Sequence, residues 1–276
     1  ADQGVDAQLI HARPSIVEKT RFLADDAKLF KLDRAARVPL DSLAQKQAVT
    51  MLEQQCKAAD AVIFCDFGYG MISESLLQRV LPTLRHNVRI ITADVSGGRA
   101  NLLNFRNANL LSPTEREARA MLNDYDSGLS NVAWEILKQT QAQHIFITLE
   151  KRGLLVFERR SQDRNSPEWS ARLRSELLPA FADHAVDRLG CGDAMLAAST
   201  LALTAGSNLM QAAYLGNAAA AIEVGLLGNH PVKQDQLRGW LSSRTELIPL
   251  VHASAMAQRD VIPRGAAFTD SLSARG

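Results

Sequence analysis

Along this chain the spacing of apolar residues switches several times between a period of two and that of a helix, and each switch marks out an element. From Val17 to Leu32 the pattern alternates, with Lys19-Thr20-Arg21-Phe22-Leu23 and Lys28-Leu29-Phe30-Lys31-Leu32 on either side of Asp25-Asp26. This predicts a hairpin or a pair of edge strands. Asp41-Ser42 supplies a cap for a helix running through Leu43, Val49, Met51 and Leu52 toward Cys56. A strand–helix rhythm follows. Ala61 to Cys65 is an apolar run that stops at Asp66 and a Gly68-Tyr69-Gly70 turn, and a helix then spans roughly Ser73 to Arg85. Val88 to Ala93 is the next strand, ending at Asp94 and Gly97-Gly98. Asn109-Leu110-Leu111 is a short strand before a helix that begins at Ser112-Pro113-Thr114-Glu115, where proline and acidic residues suit a helix N-terminus. A helix from Asn131 to Gln141 leads into the strand His144 to Leu149, and Leu154 to Phe157 returns as its hairpin partner. Arg159 to Glu176 is rich in Arg, Ser, Asp, Asn and Pro and reads as an exposed insertion. Two Ala-rich helices follow, Asp193 to Thr204 and Asn208 to Val224, and the tail from Arg244 to Gly276 has weak periodicity. Apolar strands alternating with helices predict an α/β fold of three layers, a mostly parallel sheet with helices on both faces.

Composition narrows the classes. The 276 residues suffice for one large α/β domain or two small ones. Hydrophobic residues make up 46 %, enough for a sizeable core, and aromatics only 5 %, so that core is built mainly of Ala, Leu, Ile and Val. A formal net charge of +1 predicts neither a nucleic acid nor an anionic membrane as partner, because both need a basic face. A local anion pocket needs only a few donors and stays compatible with that balance. Cys56, Cys65 and Cys191 lie far apart, and the six histidines share no ligand spacing. An odd cysteine count with no signal-peptide pattern at the start suggests a reducing, cytoplasmic setting. No stretch reaches the length of a membrane span.

Ligands of open parallel sheets sit beyond the carboxyl ends of the strands. Asp66, Asp94, Thr148 and the Ser112-Pro113-Thr114 turn all fall at such ends. Asp66 and Asp94 read equally well as substrate or cation ligands and as strand-end turn residues. The strongest local signal is Asp187-Arg188-Leu189-Gly190-Cys191-Gly192-Asp193, which enters an apolar helix. Gly190 and Gly192 let backbone N–H groups crowd around an anion, and the helix dipole adds a favourable field. An acidic side chain in the first turn then meets a nucleophile rather than the phosphate, a division of labour that suits phosphoryl transfer. The plainer alternative is an ordinary turn with a capping Asp, since short glycine motifs match freely. Cys191 reads as a reactive thiol at a helix N-terminus or, preferably, as a small filler. The arginines around Arg159 read as an anionic-partner contact or, more often in such stretches, as a solvated loop.

Taken in order, these segments resemble the ribokinase-like carbohydrate kinases. Asp187 to Asp193 is similar to their signature Asp-Thr-x-Gly-Ala-Gly-Asp, and Gly216 to Ala221 with Val224 to Gly228 is similar to their adenine-side helix and loop. Cys65 to Gly70, Asp94 to Gly97 and Leu111 to Glu117 occur in the family's order, and Lys19-Thr20-Arg21 with Leu29 to Asp33 is especially similar to the kinase domain of bacterial ADP-heptose synthases. The resemblance covers about Gly4 to Leu241 apart from the insertion. It implies transfer of the γ-phosphate of Mg²⁺-bound ATP to a hydroxyl of a sugar or sugar phosphate, most specifically a heptose 7-phosphate. It also implies roles: Asp193 as the base, and Gly190, Cys191 and Gly192 as N–H donors to the moving phosphoryl. Glu117 is implied to hold Mg²⁺ through water, with Thr114 beside it on the phosphate side. Thr148 and Gly153 border the nucleotide, Asn217 lies near the adenine, and Asp66, Asp94 and Asp187 are assigned to substrate or cation. Members often pair through their lid region, which implies a homodimer.

Several positions depart from the family pattern. Arg188 replaces a small hydroxyl residue, Cys191 an Ala, Thr114 an Asn, Glu150 a Gly of the nucleotide loop, and Tyr69 the Lys of heptose kinases. Glu150 beside an ATP phosphate is repulsive unless it points away. These departures favour the rival reading, a catalytically weak protein of the same fold that binds nucleotide or sugar phosphate as a regulator or scaffold. Ala1 aligns with the middle of the family domain, which predicts either a fragment or a protein that has lost that half-site; the fragment is favoured, because a sheet without its first strands exposes unpaired edges. The expected organisation is an incomplete kinase domain over residues 1–243, with the insertion at about 159–176, and a tail over 244–276.

Overall fold

Five-residue and six-residue apolar runs that are buried on both sides form the centre of the protein. The computed structural model describes residues 4–12, 16–24, 27–34, 37–96, 101–159, 173–182 and 184–247. Among them the strands β1 (Glu18–Ala24) and β2 (Ala27–Arg34) make a separate antiparallel ribbon. The helix α1 (Ser42–Gln55) follows, then β3 (Ala61–Asp66), α2 (Glu74–Asn87), β4 (Ile90–Val95), β5 (Leu110–Leu111), α3 (Glu115–Leu122), α4 (Leu129–Thr140), β6 (His144–Thr148), β7 (Leu154–Arg159), β8 (Leu173–Leu178), α5 (Cys191–Thr204) and α6 (Leu209–Val224). The chain divides into two compact units, Ala1–Val232 and Lys233–Gly276; within the second, α7 spans Gln234–Ser242.

The main sheet has the order β3-β4-β5-β6-β7-β8. Its first four strands run parallel, and β7 and β8 return antiparallel. Strand alternation sorts side chains into two cores. Leu111, Ile145, Ile147 and Phe157 point to the face covered by α2 and α4, where Leu77, Val80, Leu84, Ile136 and Leu137 meet them. Leu110, Phe146, Leu154 and Val156 point to the opposite face, against Met195, Leu196, Leu209 and Ala213 of α5 and α6. This is the expected three-layer α/β architecture.

The Ala-rich composition of α5 and α6 lets their backbones approach closely. A Cβ on Gly216 would lie only 2.8 Å from the Met195 carbonyl and would collide with Ser199 Oγ, which donates to the Ala212 carbonyl at 3.0 Å. On the sheet side the buried Thr92 and Thr200 hydroxyls lie 2.8 Å apart, and Thr200 donates onward to the Leu196 carbonyl. The pair ties α5 to β4 and leaves neither hydroxyl orphaned.

Boundaries differ from the sequence reading in several places. β4 starts two residues later than the run beginning at Val88, because Val88 caps α2. Arg159 closes β7, and Leu173–Glu176 open the edge strand β8, so both ends of the expected insertion belong to the sheet; residues 160–172 lie outside the described residues. Of the expected tail, Thr245–Leu247 form a 3₁₀ turn and 248–276 lie outside the described residues.

Candidate active site

The carboxyl ends of β3, β4, β5 and β6 all deliver polar residues to one rim of the sheet. Beyond β5, Thr114 caps α3 and closes a reciprocal box with Glu117. The Thr114 N–H and hydroxyl donate to Glu117 Oε2 at 2.9 and 2.8 Å, and the Glu117 N–H donates to Thr114 Oγ1 at 3.2 Å. Thr114 also forms a single parallel bridge to Thr148 at the end of β6. Thr114, Glu117 and Thr148 therefore share the wall of an open cavity of about 1140 Å³, together with Glu150, Lys151 and Arg152.

At α5 the capping residue is Gly190, at φ +86°, with no side-chain cap bond. Asp193 lies in the first turn, so it is not the cap that the plainer sequence alternative required. The first amides of a helix have no intrahelical acceptor and point outward with the positive end of the dipole. Gly190 is obligatory on two grounds: its left-handed backbone, and Glu223 Oε1, which would lie 2.8 Å from a Cβ there. A Cβ on Gly192 would meet nothing within 4 Å, so open space lies before the helix end. Asp187 fixes the approach to this turn, since its two oxygens accept the Leu189 and Gly228 N–H groups at 3.1 and 3.3 Å. The Cys191 thiol is pushed up to about 11 by burial and then by the Glu223 and Asp187 charges, which makes it a poor thiolate and suits the filler reading.

Carboxylates gather at the rim. Asp94 is pushed up to about 7, first by burial and then by the negative charges of Glu117 and Asp193. Burial raises Asp193 as well, and the Lys19 ammonium on β1 opposes that shift. Lys19 lies 4.3 Å from the Phe67 ring centre and 5.4 Å from that of Tyr69. The Tyr69 hydroxyl donates to Asp33 at 3.2 Å, so the β1–β2 ribbon is fastened to the Gly68–Gly70 turn. Among the described residues no three His, Cys, Asp or Glu side chains form a ready cation cage. Carboxylates gathered in this way fit a magnesium ion held partly by phosphate oxygens and water, which is how that ion is usually bound.

Of the two readings left open for Asp66, the structure shows the strand-end turn. Asp66 accepts the Gly68 N–H at 2.9 Å there, and with Arg37, Gly70 and Asn101 it lines a cavity of about 320 Å³. Gly153 is required by packing at φ +100°, because a Cβ would lie 2.6 Å from the Ala180 nitrogen. Asn217 is buried and donates to the Pro179 carbonyl at 2.8 Å. Gly153 and Asn217 line none of the cavities described above, and the residues 97–100 expected after Asp94 lie outside the described residues.

Sequence reasoning missed one group and one pairing. Glu223, 1 % exposed, sits beneath Gly190, accepts the His230 N–H at 2.9 Å through Oε1 and keeps Oε2 without a hydrogen bond. A glutamate closing the apolar run Ala218–Val224 was its available signal. Glu150 pairs with Arg188 at 2.8 Å, which joins two of the departures noted in the sequence.

This fold, with its ligand rim and glycine-flanked helix start, defines a phosphotransferase class that the comparisons identify. The family model described as pfkB family carbohydrate kinase matches residues 36–232, and the chain belongs to that family. The fold is ribokinase-like: phosphofructokinase-2 from Escherichia coli in complex with potassium superposes with a TM-score of 0.60 at 18 % identity, covering 77 % of this chain and 66 % of that one. A ribokinase of Arabidopsis thaliana complexed with ribose and ATP superposes with a TM-score of 0.60 at 16 % identity, covering 83 % and 70 %. More particularly, the chain is similar to proteins named "Bifunctional protein HldE". That of a Nitratiruptor species is 25 % identical over 82 % of this chain and 46 % of its own length. That of Pelobacter propionicus is 25 % identical over 98 % and 52 %. The chain thus spans about half the length of the curated relatives it matches. No helix among the described residues is long and apolar enough to cross a membrane.

Proposed function

We propose that this chain phosphorylates a hydroxyl of a sugar phosphate with ATP, and that the acceptor is a heptose 7-phosphate. The observation that carries the reading is the start of α5, where uncapped amides face open space at Gly192 with Asp193 in the same turn. Family membership supports sugar phosphorylation, and the similarity to HldE proteins supports the heptose. Magnesium-bound ATP supplies the phosphoryl group and part of its charge compensation when bound. The N–H groups of Gly190, Cys191 and Gly192 stabilise negative charge on the phosphoryl oxygens. Asp193 accepts the proton of the acceptor hydroxyl. Its pKa, raised by burial from the ordinary value of about 3.9, makes it a better base, while the Lys19 charge opposes that rise. Glu117 and Asp94 hold the cation side, with Thr114 and Thr148 next to the phosphates and Gly153 and Asn217 bordering the nucleotide. Asp66 faces the acceptor, and Asp187 positions the loop.

We place this kinase domain in residues 1–243, with 244–276 as a tail, and its work in the cytoplasm, where ATP is made available. A homodimer is supported by the β1–β2 ribbon. Its cross-strand pairs put Thr20, Phe22, Phe30 and Leu32 on one face and Lys19, Arg21, Lys31 and Asp33 on the other. The charged face meets Tyr69, whereas Phe22 and Phe30 stack at 4.2 Å with Phe30 55 % exposed. A two-stranded ribbon with an uncovered apolar face is marginal by itself, and a second copy would cover it.

The rival, a weakly active nucleotide or sugar-phosphate sensor, draws on the Thr114–Glu117 box, which engages an oxygen expected to serve magnesium. ATP turnover measured against a panel of hexose, pentose and heptose phosphates separates the two. Preference for heptose 7-phosphate supports the proposal; a ligand that binds without any turnover favours the sensor.

A further inference from the structure

Two of the residues that depart from the family pattern, Glu150 and Arg188, are not independent. Glu150 follows Thr148 by two positions and takes a left-handed backbone at φ +54°, a conformation that favours the glycine usual there. Arg188 precedes Gly190 by two positions. Their side chains meet at 2.8 Å, so the pair spans from the nucleotide loop to the loop that opens α5. Both side chains remain largely open to water, at 64 % and 70 % exposure, and a pair so exposed is weak and screened by salt. The neighbouring cation Arg152 is already paired with Glu115. Arg188, two positions before the Gly190 cap, is thus held by an easily broken contact. A guanidinium binds two phosphate oxygens in a matched fork, and a polyphosphate carries more negative charge than one carboxylate.

We infer that Arg188 is an exchangeable clasp: it leaves Glu150 for the terminal phosphates of an incoming nucleoside triphosphate, and Glu150 holds it ready when no nucleotide is present. This inference rests on the phosphoryl-transfer reading and deepens it. Arg188 binds the donor's phosphates, and Glu150 sets how readily it does so. The arrangement turns an apparent repulsion at Glu150 into a competition that selects ligands with several phosphates over those with one.

Calorimetric titration of the full chain with ATP, ADP and AMP in the presence of magnesium tests it without any sugar. Arg188→Ala should weaken ATP binding about tenfold, the size expected on losing a charge-assisted hydrogen bond, and leave AMP nearly unaffected. Glu150→Gln should act in the opposite direction and tighten ATP. Opposite signs support the clasp. If both variants weaken ATP, or if AMP changes as much as ATP, the pair is only a structural tie and the clasp is wrong; unchanged affinities in both variants refute it equally. Asp193→Asn separates this failure from the larger one. Lost turnover in Asp193→Asn, with equal ATP affinities in wild type, Arg188→Ala and Glu150→Gln, sinks the clasp and spares the phosphoryl-transfer reading. A wild-type chain that binds no ATP sinks both.

Discussion

Replacing Gly190 by Ala perturbs the one turn on which the proposed chemistry depends, and the structure sets the scale of the damage. An L-residue held at φ +86° costs ~1–2 kcal/mol by steric conflict with its own backbone. The new Cβ also cannot coexist with Glu223 Oε1 at 2.8 Å or with the Asn229 amide, so Glu223 must move. Glu223 is buried and accepts the His230 N–H, and breaking a hydrogen bond to a charged group costs ~1.5–3 kcal/mol. Together these give roughly 2.5–5 kcal/mol of lost stability. For a unit of this size that lowers Tm by roughly 5–20 °C. Gly192→Ala is the matched control. Its backbone is helical and a Cβ there meets nothing, so stability should stay level or rise by ~0.5–1 kcal/mol through helix propensity. The methyl group would instead narrow the space before the helix end and lower kcat. Thermal unfolding by circular dichroism, paired with an ATP turnover assay, reads both effects. Equal melting temperatures for Gly190→Ala and wild type, or equal destabilisation by the two substitutions, would refute the reasoning.

Other outcomes follow from the same geometry. The Asp94 carboxyl titrates at about 7 in the folded chain and well below that when unfolded, so the folded state binds the extra proton. Stability from this group is full below the unfolded value of about 3.9 and is lost as pH rises toward 7. Asp94→Asn should therefore match wild type in urea melts near pH 4 and exceed it at pH 8; a gap that shrinks as pH rises would contradict this. Asp66 and Asp193 shift in the same direction, which is why the difference between the two proteins, rather than either curve alone, is the readout. Lys19→Met removes the charge that opposes the rise at Asp193, so the acid limb of the kcat/KM profile should move to higher pH; an unmoved limb would mean that Lys19 does not act on the base. Phe30→Asp puts a charge on the exposed stacked face, and light scattering should find wild type as the proposed dimer and the variant as a monomer; a wild-type monomer would contradict the dimer proposal.

The regular part of the fold was legible because burial on both sheet faces writes a continuous apolar run. β6 and β7 announce themselves this way, and Pro113 with the acidic Glu115 announces the start of α3. β8 does not, because an edge strand with Arg174, Ser175 and Glu176 exposed carries no alternation to read. The sequence reading starts α5 at Asp193, later than its first residue Cys191, since its cap is a backbone conformation at Gly190 rather than a capping side chain. Individual candidate residues could be read from strand ends and glycines. Their partnerships could not: Glu150 and Arg188 are 38 positions apart, and Glu150 looked repulsive with no partner in view. Glu223 was hidden for the opposite reason, as one polar residue ending a helix whose other features demand only close packing.

The rate at which Asp193→Asn transfers phosphate from ATP to heptose 7-phosphate, measured beside its ATP affinity, bears most directly on the proposed chemistry. A general base at this position predicts a fall in kcat of roughly 10²–10⁴-fold with nucleotide affinity nearly unchanged. Turnover by Asp193→Asn at the wild-type rate would show that the α5 turn holds no base, and that the protein acts elsewhere or by other means.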